Sequence, residues 1–176
     1  MPEGYTPVGG ERVASWATVA AVTVARERSI RMGTGLKTRF ERIPLEILNE
    51  GKYELIDELY APDFVEHYAQ PGVPPTREGF KQVAMALRSA FPDLRYTVED
   101  AIEAGDMIVH RLSASGTMKG DLLGIPATGT RATWSEIHIG RVANERIVEH
   151  WGLVDQLGML VQLGVVPAPG QVPVAV

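Results

Sequence analysis

The hydrophobic pattern of this chain changes period once, at Pro92-Asp93, and that switch constrains the fold more than any other feature. Before it, Leu36, Phe40, Ile43, Ile47 and Leu48 recur at three- and four-residue steps, with Lys37, Arg39, Glu41 and Arg42 between them. This spacing predicts an amphipathic helix from Leu36 to Asn49. Pro44 should kink it or begin a new turn, and Gly51 should stop it. A second short helix is predicted from Tyr53 to Tyr60, then a short extended piece from Asp63 to Tyr68. Thr76 can cap a third helix, Arg77 to Phe91, with Phe80, Val83, Ala84, Leu87 and Phe91 facing the core. Beyond Pro92 the period is two: Leu94, Tyr96 and Val98 alternate with Arg95, Thr97 and Glu99. Extended runs follow from Met107 to Gly116, from Arg131 to Val142, and over a last strand-like segment, Arg146 to Gln162. Turns at Gly105-Asp106 and Asn144-Glu145 are short, so these strands should be antiparallel neighbours. Helices followed by an antiparallel sheet make an α+β fold.

The 176 residues suffice for one domain with a sizeable core, placed here at 35–166 with a C-terminal tail over 167–176. The net charge of −5 and the lack of a basic stripe argue against nucleic acid as a partner. No apolar run is long enough for a membrane span. The cysteine count of zero removes disulfides, thiolate nucleophiles and cysteine metal sites, and fits a cytoplasmic location. Residues 1–34 contain an apolar run from Val13 to Ala25. Glu3 and Glu11 offset Arg12 ahead of it, and a clean small-residue cleavage pattern is missing, unlike a secretory signal. The segment reads as an extension, a loosely docked helix or none, with Met32 as an alternative natural start.

The last segment carries the chemistry. In R-I-V-E-H-W-G-L-V-D-Q, strand alternation puts Glu149, Trp151, Leu153 and Asp155 on one face. A carboxylate beside an indole and a leucine is costly to bury and suits a general acid or base. The blander reading makes Asp155 a cap for the next segment. A hairpin centred on Asn144-Glu145 would set His138 opposite Trp151, Glu136 opposite Leu153 and Trp134 opposite Asp155. One face would then hold two indoles, a histidine and carboxylates, a plausible pocket lining. An exposed sheet face used as a dimer contact is the alternative. The four histidines, His67, His110, His138 and His150, form no close pair of the kind metal sites use, so no metal is expected. His67 could sit at a pocket mouth, whereas His110 reads as a packed histidine.

These residues resemble the SnoaL-like polyketide cyclases, also called ester cyclase-like proteins. The resemblance runs from about Leu36 to Gly164. It is carried by N-E-G-K-Y-E-L-I-D-E-L-Y-A-P-D-F-V-E-H, F-P-D-L-R-Y-T-V-E-D, G-D-M-I-V-H-R, G-I-P-A-T-G and I-V-E-H-W-G-L-V-D-Q-L-G. It implies a cone-shaped α+β barrel, related to ketosteroid isomerase, in which a curved antiparallel sheet wraps around N-terminal helices and encloses an apolar cavity. It also implies a homodimer and a small hydrophobic substrate. The type enzymes close a polyketide ring by intramolecular aldol chemistry without cofactor or metal, using an aspartate on the last strand that looks like Asp155. Two departures are Met118, where many members carry His, and Glu145, where the last turn usually has Gly. The expected site therefore has Asp155 as acid/base and His67 and His138 as orienters or donors. Trp134, Glu136, Trp151, Phe40, Tyr60 and Arg111 are expected to touch the substrate. Two alternatives stand beside this reading. One is an epoxide hydrolase of the limonene epoxide hydrolase type, using Arg111 with Asp155 and an acid such as Glu136. The other is a non-catalytic small-molecule-binding protein.

Overall fold

The computed structural model describes residues 35–168 and Gly170. The expectations for the N-terminal extension, Met32 and most of the tail therefore fall outside the described residues. Residues 35–50 are helical (α1), and their inner edge buries Leu36, Phe40, Ile47 and Leu48. At Pro44 the helix widens into a π-helical stretch, Ile43–Leu48. A proline has no N–H to give and its ring crowds the preceding turn, so the wider winding accommodates it without ending the helix.

Helix α2, Leu55–Leu59, leads directly into strand β1, Tyr60–Glu66. Helix α3, Arg77–Ala90, starts as expected at Thr76, whose hydroxyl accepts from the Gly79 N–H. The sheet continues with β2, Arg95–Ala104, β3, Met107–Thr117, β4, Arg131–Ala143, and β5, Arg146–Val154. The predicted last strand was too long: Gln156–Gln162 forms helix α4, capped by Asp155 and anchored by buried Met159 and, just beyond it, Leu163.

Among the described residues the five strands form one curved, unclosed sheet in the order β1-β5-β4-β3-β2. All neighbours are antiparallel except β1 and β5, which run parallel. The fold is the α+β architecture expected, with an open rather than a closed sheet. Asn144 and Glu145 both take positive φ, 49° and 61°, the backbone of a tight hairpin turn. Arg39 Nε donates to the Glu145 carbonyl at 2.9 Å, fastening α1 to that turn. Met118 is fully buried in the core.

The register of the β4–β5 hairpin changes within two residues of its turn. Ala143 pairs with Arg146 and Val142 with Ile147, as a turn at Asn144-Glu145 requires; then Arg141 pairs with Glu149 and His138 with Gly152. Val148 is the extra residue of a β-bulge. A one-residue slip sends every following side chain to the opposite face. His150, Gly152 and Val154 therefore face inward. Trp151 and Leu153 face outward, and Leu153 is 69% exposed.

Candidate active site

The helices and the concave face of the sheet enclose a cavity of about 330 Å³. Its apolar wall comes from α1 (Ile43, Pro44, Leu48), α3 (Phe80, Val83, Leu87) and strand residues such as Ile108 and Leu112. Set into this wall is a chain of polar side chains drawn from four strands.

Glu136 on β4 is 5% exposed and is the best-partnered member. Its Oε1 accepts from Tyr96 Oη at 3.0 Å and from Trp134 Nε1 at 2.6 Å. Its Oε2 lies 2.6 Å from His138 Nε2. His138 Nδ1 is in turn 3.0 Å from His150 Nε2, with the two rings stacked at 5.1 Å. His150 Nδ1 meets both Glu66 carboxylate oxygens, at 2.7 and 2.8 Å. Glu66, at the end of β1, also accepts from the Tyr68 N–H.

The hairpin register explains why the two imidazoles can touch. Gly152 lies opposite His138, and a Cβ there would come within 3.0 Å of His138 Nδ1. Glycine thus leaves the gap through which His150, two residues earlier on the same face, reaches its neighbour. Burial, reinforced by the Glu136 carboxylate, pushes the Tyr96 phenol well above its ordinary range, so it stays a donor. Burial likewise pushes up the Tyr60 phenol, with Glu66 adding to the effect.

A third imidazole, His110, pairs across β3–β4 with His138 and is 6% exposed. Among the described residues its Nε2 is buried without a hydrogen-bond partner. Burial first, then the charges of His138, Lys37 and His150, bring it down from 6.5 to about 4. Near pH 7 this ring is neutral in the folded chain and mostly neutral in the unfolded one. As pH falls below 6.5 the unfolded chain takes up a proton that the folded one refuses until about pH 4, so acid costs stability. The loss should reach roughly 2–3 kcal/mol by about pH 4.5. His110→Gln should remove that share of the acid sensitivity, as urea titrations of both proteins at the two pH values would show. An unchanged acid loss in the variant would absolve His110.

The structure brings together four of the expected site residues, His138, Trp134, Glu136 and Tyr60, all on the cavity wall. The other five lie elsewhere. Asp155 is exposed, and its Oδ1 accepts from the Gly158 N–H at 2.9 Å, so it caps α4 outside the cavity. His67 and Trp151 stack on each other at 4.6 Å on the outer face, where His67 Nε2 bonds Glu149 at 3.0 Å. The bulge at Val148 is the reason: it turned the expected face of β5 outward. Arg111 is exposed on the outer side of β3, opposite Ile137, and cannot meet inward-facing Glu136. The acid–arginine–acid set of an epoxide hydrolase is therefore not formed by these residues. Phe40 is fully buried in the helix–sheet core and does not line the cavity. Sequence reasoning missed Glu66, Tyr96, His110 and His150. The recurrence of His at 110 and 138 on paired strands was a signal, but it needed the register to be read.

Residues 38–163, most of the chain, match the pattern of SnoaL-like polyketide cyclases. The chain belongs to this family. Among curated relatives of this SnoaL-like protein are two aklanonic acid methyl ester cyclases. DnrD of Streptomyces peucetius is 32% identical over 66% of this chain and 71% of its own length. DauD of Streptomyces sp. strain C5 is 30% identical over 64% and 72%. Among solved structures, the polyketide cyclase-like IdmH of Streptomyces antibioticus has 36% identity and a TM-score of 0.65 over 74% of this chain and 99% of its own. TsrD of Streptomyces laurentii has 29% identity and a TM-score of 0.66 over 79% and 97%. Membership and relatives together make this SnoaL-like protein an enzyme of the cyclase type. Among the described residues, no helix is long and apolar enough to cross a membrane.

Proposed function

We propose that the protein closes a ring in a neutral, polyketide-like carbonyl compound by aldol-type proton transfer inside this cavity, with Glu136 and His138 as the acid/base pair. The observation that carries the reading is the 2.6 Å Glu136–His138 contact on an otherwise apolar wall, with Tyr96 and Trp134 donating to the same carboxylate. Such chemistry needs a base for a proton α to a carbonyl and a donor for the oxygen that becomes negative. Glu136 has one acceptor position left on Oε2 to take the α proton, and the carboxylic acid so formed returns that proton to the carbonyl oxygen that becomes an alkoxide as the new carbon–carbon bond closes the ring. The Tyr96 hydroxyl, the Trp134 N–H and the His138 ring surround the carboxylate, and they limit its reorganisation as its charge changes.

The wall chemistry also supports a substrate class. Its carboxylates, Glu66 and Glu136, would repel a substrate carrying a free carboxylate, and the described lining residues include no lysine or arginine to offset them. A carboxyl masked as an ester avoids that repulsion, in keeping with the methyl ester named for the two Streptomyces relatives. Incubation of the purified protein with aklanonic acid methyl ester should yield an isomer of unchanged mass bearing one more ring. Recovery of unaltered substrate, together with unaltered neutral homologues of it, would remove the cyclase reading.

A homodimer remains part of the proposal. Its support is the outer sheet face, where Ile137 and Leu153 are exposed beside Trp151, with Leu157 of α4 nearby in sequence. The cytoplasmic placement rests, as before, on the cysteine-free sequence.

A further inference from the structure

Between Glu136 and Glu66 run three contacts at 2.6, 3.0 and 2.7 Å, through His138 and His150. Each needs one proton. Two neutral imidazoles supply two N–H groups. If each gives its proton to the neighbouring carboxylate, His138 Nδ1 and His150 Nε2 face each other with lone pairs only, 3.0 Å apart. If either proton occupies that link instead, one ring turns a lone pair toward a carboxylate oxygen at 2.6–2.8 Å inside the cavity wall, where Glu136 is 5% and the Glu66 side chain 10% exposed. Two acceptors held that close with no proton between them repel each other, whatever other donors the carboxylate keeps. The contacts are all satisfied once the chain holds one proton more than two neutral rings carry. An ordinary imidazole is about two pKa units more basic than an ordinary carboxylic acid, which places that proton on a ring and not on a carboxyl.

We infer that His138 and His150 together carry one imidazolium, its proton shared across their 3.0 Å contact, and that Glu66 is the positioning residue holding it there so that Glu136 stays ionised. The inference rests on the reading of Glu136 as the base. Atoms and charges balance: two carboxylates and one imidazolium give the array a net charge of −1, with three ring protons in three contacts. The surroundings allow a single positive centre. Facing the array are Tyr60 from β1, Tyr68 just beyond it, Tyr96 from β2, neutral His110 from β3, and uncharged Gln82 and Gln156 from α3 and α4; Lys37 of α1 acts on His110. Glu66 thus acts through two rings on a carboxylate it does not touch.

The test counts ring protons and needs no substrate. In protein labelled with ¹⁵N in histidine, near neutral pH, His138 and His150 should show three protonated ring nitrogens between them. Glu66→Gln should leave two, because its amide can donate to His150 Nδ1 and satisfy the chain with neutral rings. Glu66→Asp should restore the third. Turnover should fall at least about tenfold in Glu66→Gln, at little changed KM, and recover in part in Glu66→Asp. Two ring protons in the unmodified protein, or three in Glu66→Gln with full turnover, would overturn the inference. A chain that shows three ring protons but turns over nothing would instead count against the cyclase reading and leave the imidazolium standing.

Discussion

Glu136→Gln should lower turnover by about 10²–10⁴-fold with the fold intact, the range by which positioned acid/base groups accelerate reactions. Glutamine matches glutamate in shape. Its oxygen can still accept from Tyr96 Oη and Trp134 Nε1, and its amide can face His138 Nε2, so the wall need not rearrange. What it cannot do is take a proton from carbon. The informative partner is Asp155→Asn. That residue is exposed and its role is to accept from Gly158 N, which asparagine does about as well, so the rate should stay within about twofold. Initial rates of both variants on one ester substrate, with circular dichroism to confirm folding, decide the matter. An inactive Asp155→Asn beside an active Glu136→Gln would move the chemistry back to the end of β5.

The second large effect is on stability. Phe40→Ala should destabilise the protein by about 3–5 kcal/mol, the usual cost of removing a buried aromatic ring. Phe40 is fully buried where α1 meets the sheet, within a cluster that includes Leu36, Ile47, Ile56, Leu59 and Ile147. The loss combines transfer free energy with the cavity left behind. The π-helical stretch beginning three residues later limits how far α1 can settle inward to fill it. Equilibrium urea denaturation measures it. A cost below about 1 kcal/mol would mean that the ring is not packed as described. At sub-denaturing conditions the folded variant should keep its ligand affinity, since Phe40 is not on the cavity wall.

Several local features were legible from residue types alone, because each rests on neighbours in sequence. Thr76 begins α3 because its hydroxyl can take up a free N–H of the first turn. Asn144-Glu145 turns the last hairpin, and the period-two stretch after Pro92 forms strands. The parallel pairing of β1 with β5 was not visible, since it joins segments more than 80 residues apart, Tyr60 to Ile147 and Glu66 to His150, through backbone groups that carry no side-chain signature.

The composition of the site was half visible for the same reason. Trp134, Glu136 and His138 alternate on one strand, so any register keeps them on a common face, and the sequence alone determined that they lie side by side. Which residues of β5 join them depended on a single extra residue, Val148. The bulge lies where β5 is held between β4 on one side and β1 on the other, with Val65 and Glu66 paired to Glu149 and His150. That arrangement exists only in the assembled sheet. It turned Trp151 outward, brought His150 in, and left Asp155 to cap a helix, because strand side chains alternate and one added residue reverses every face beyond it.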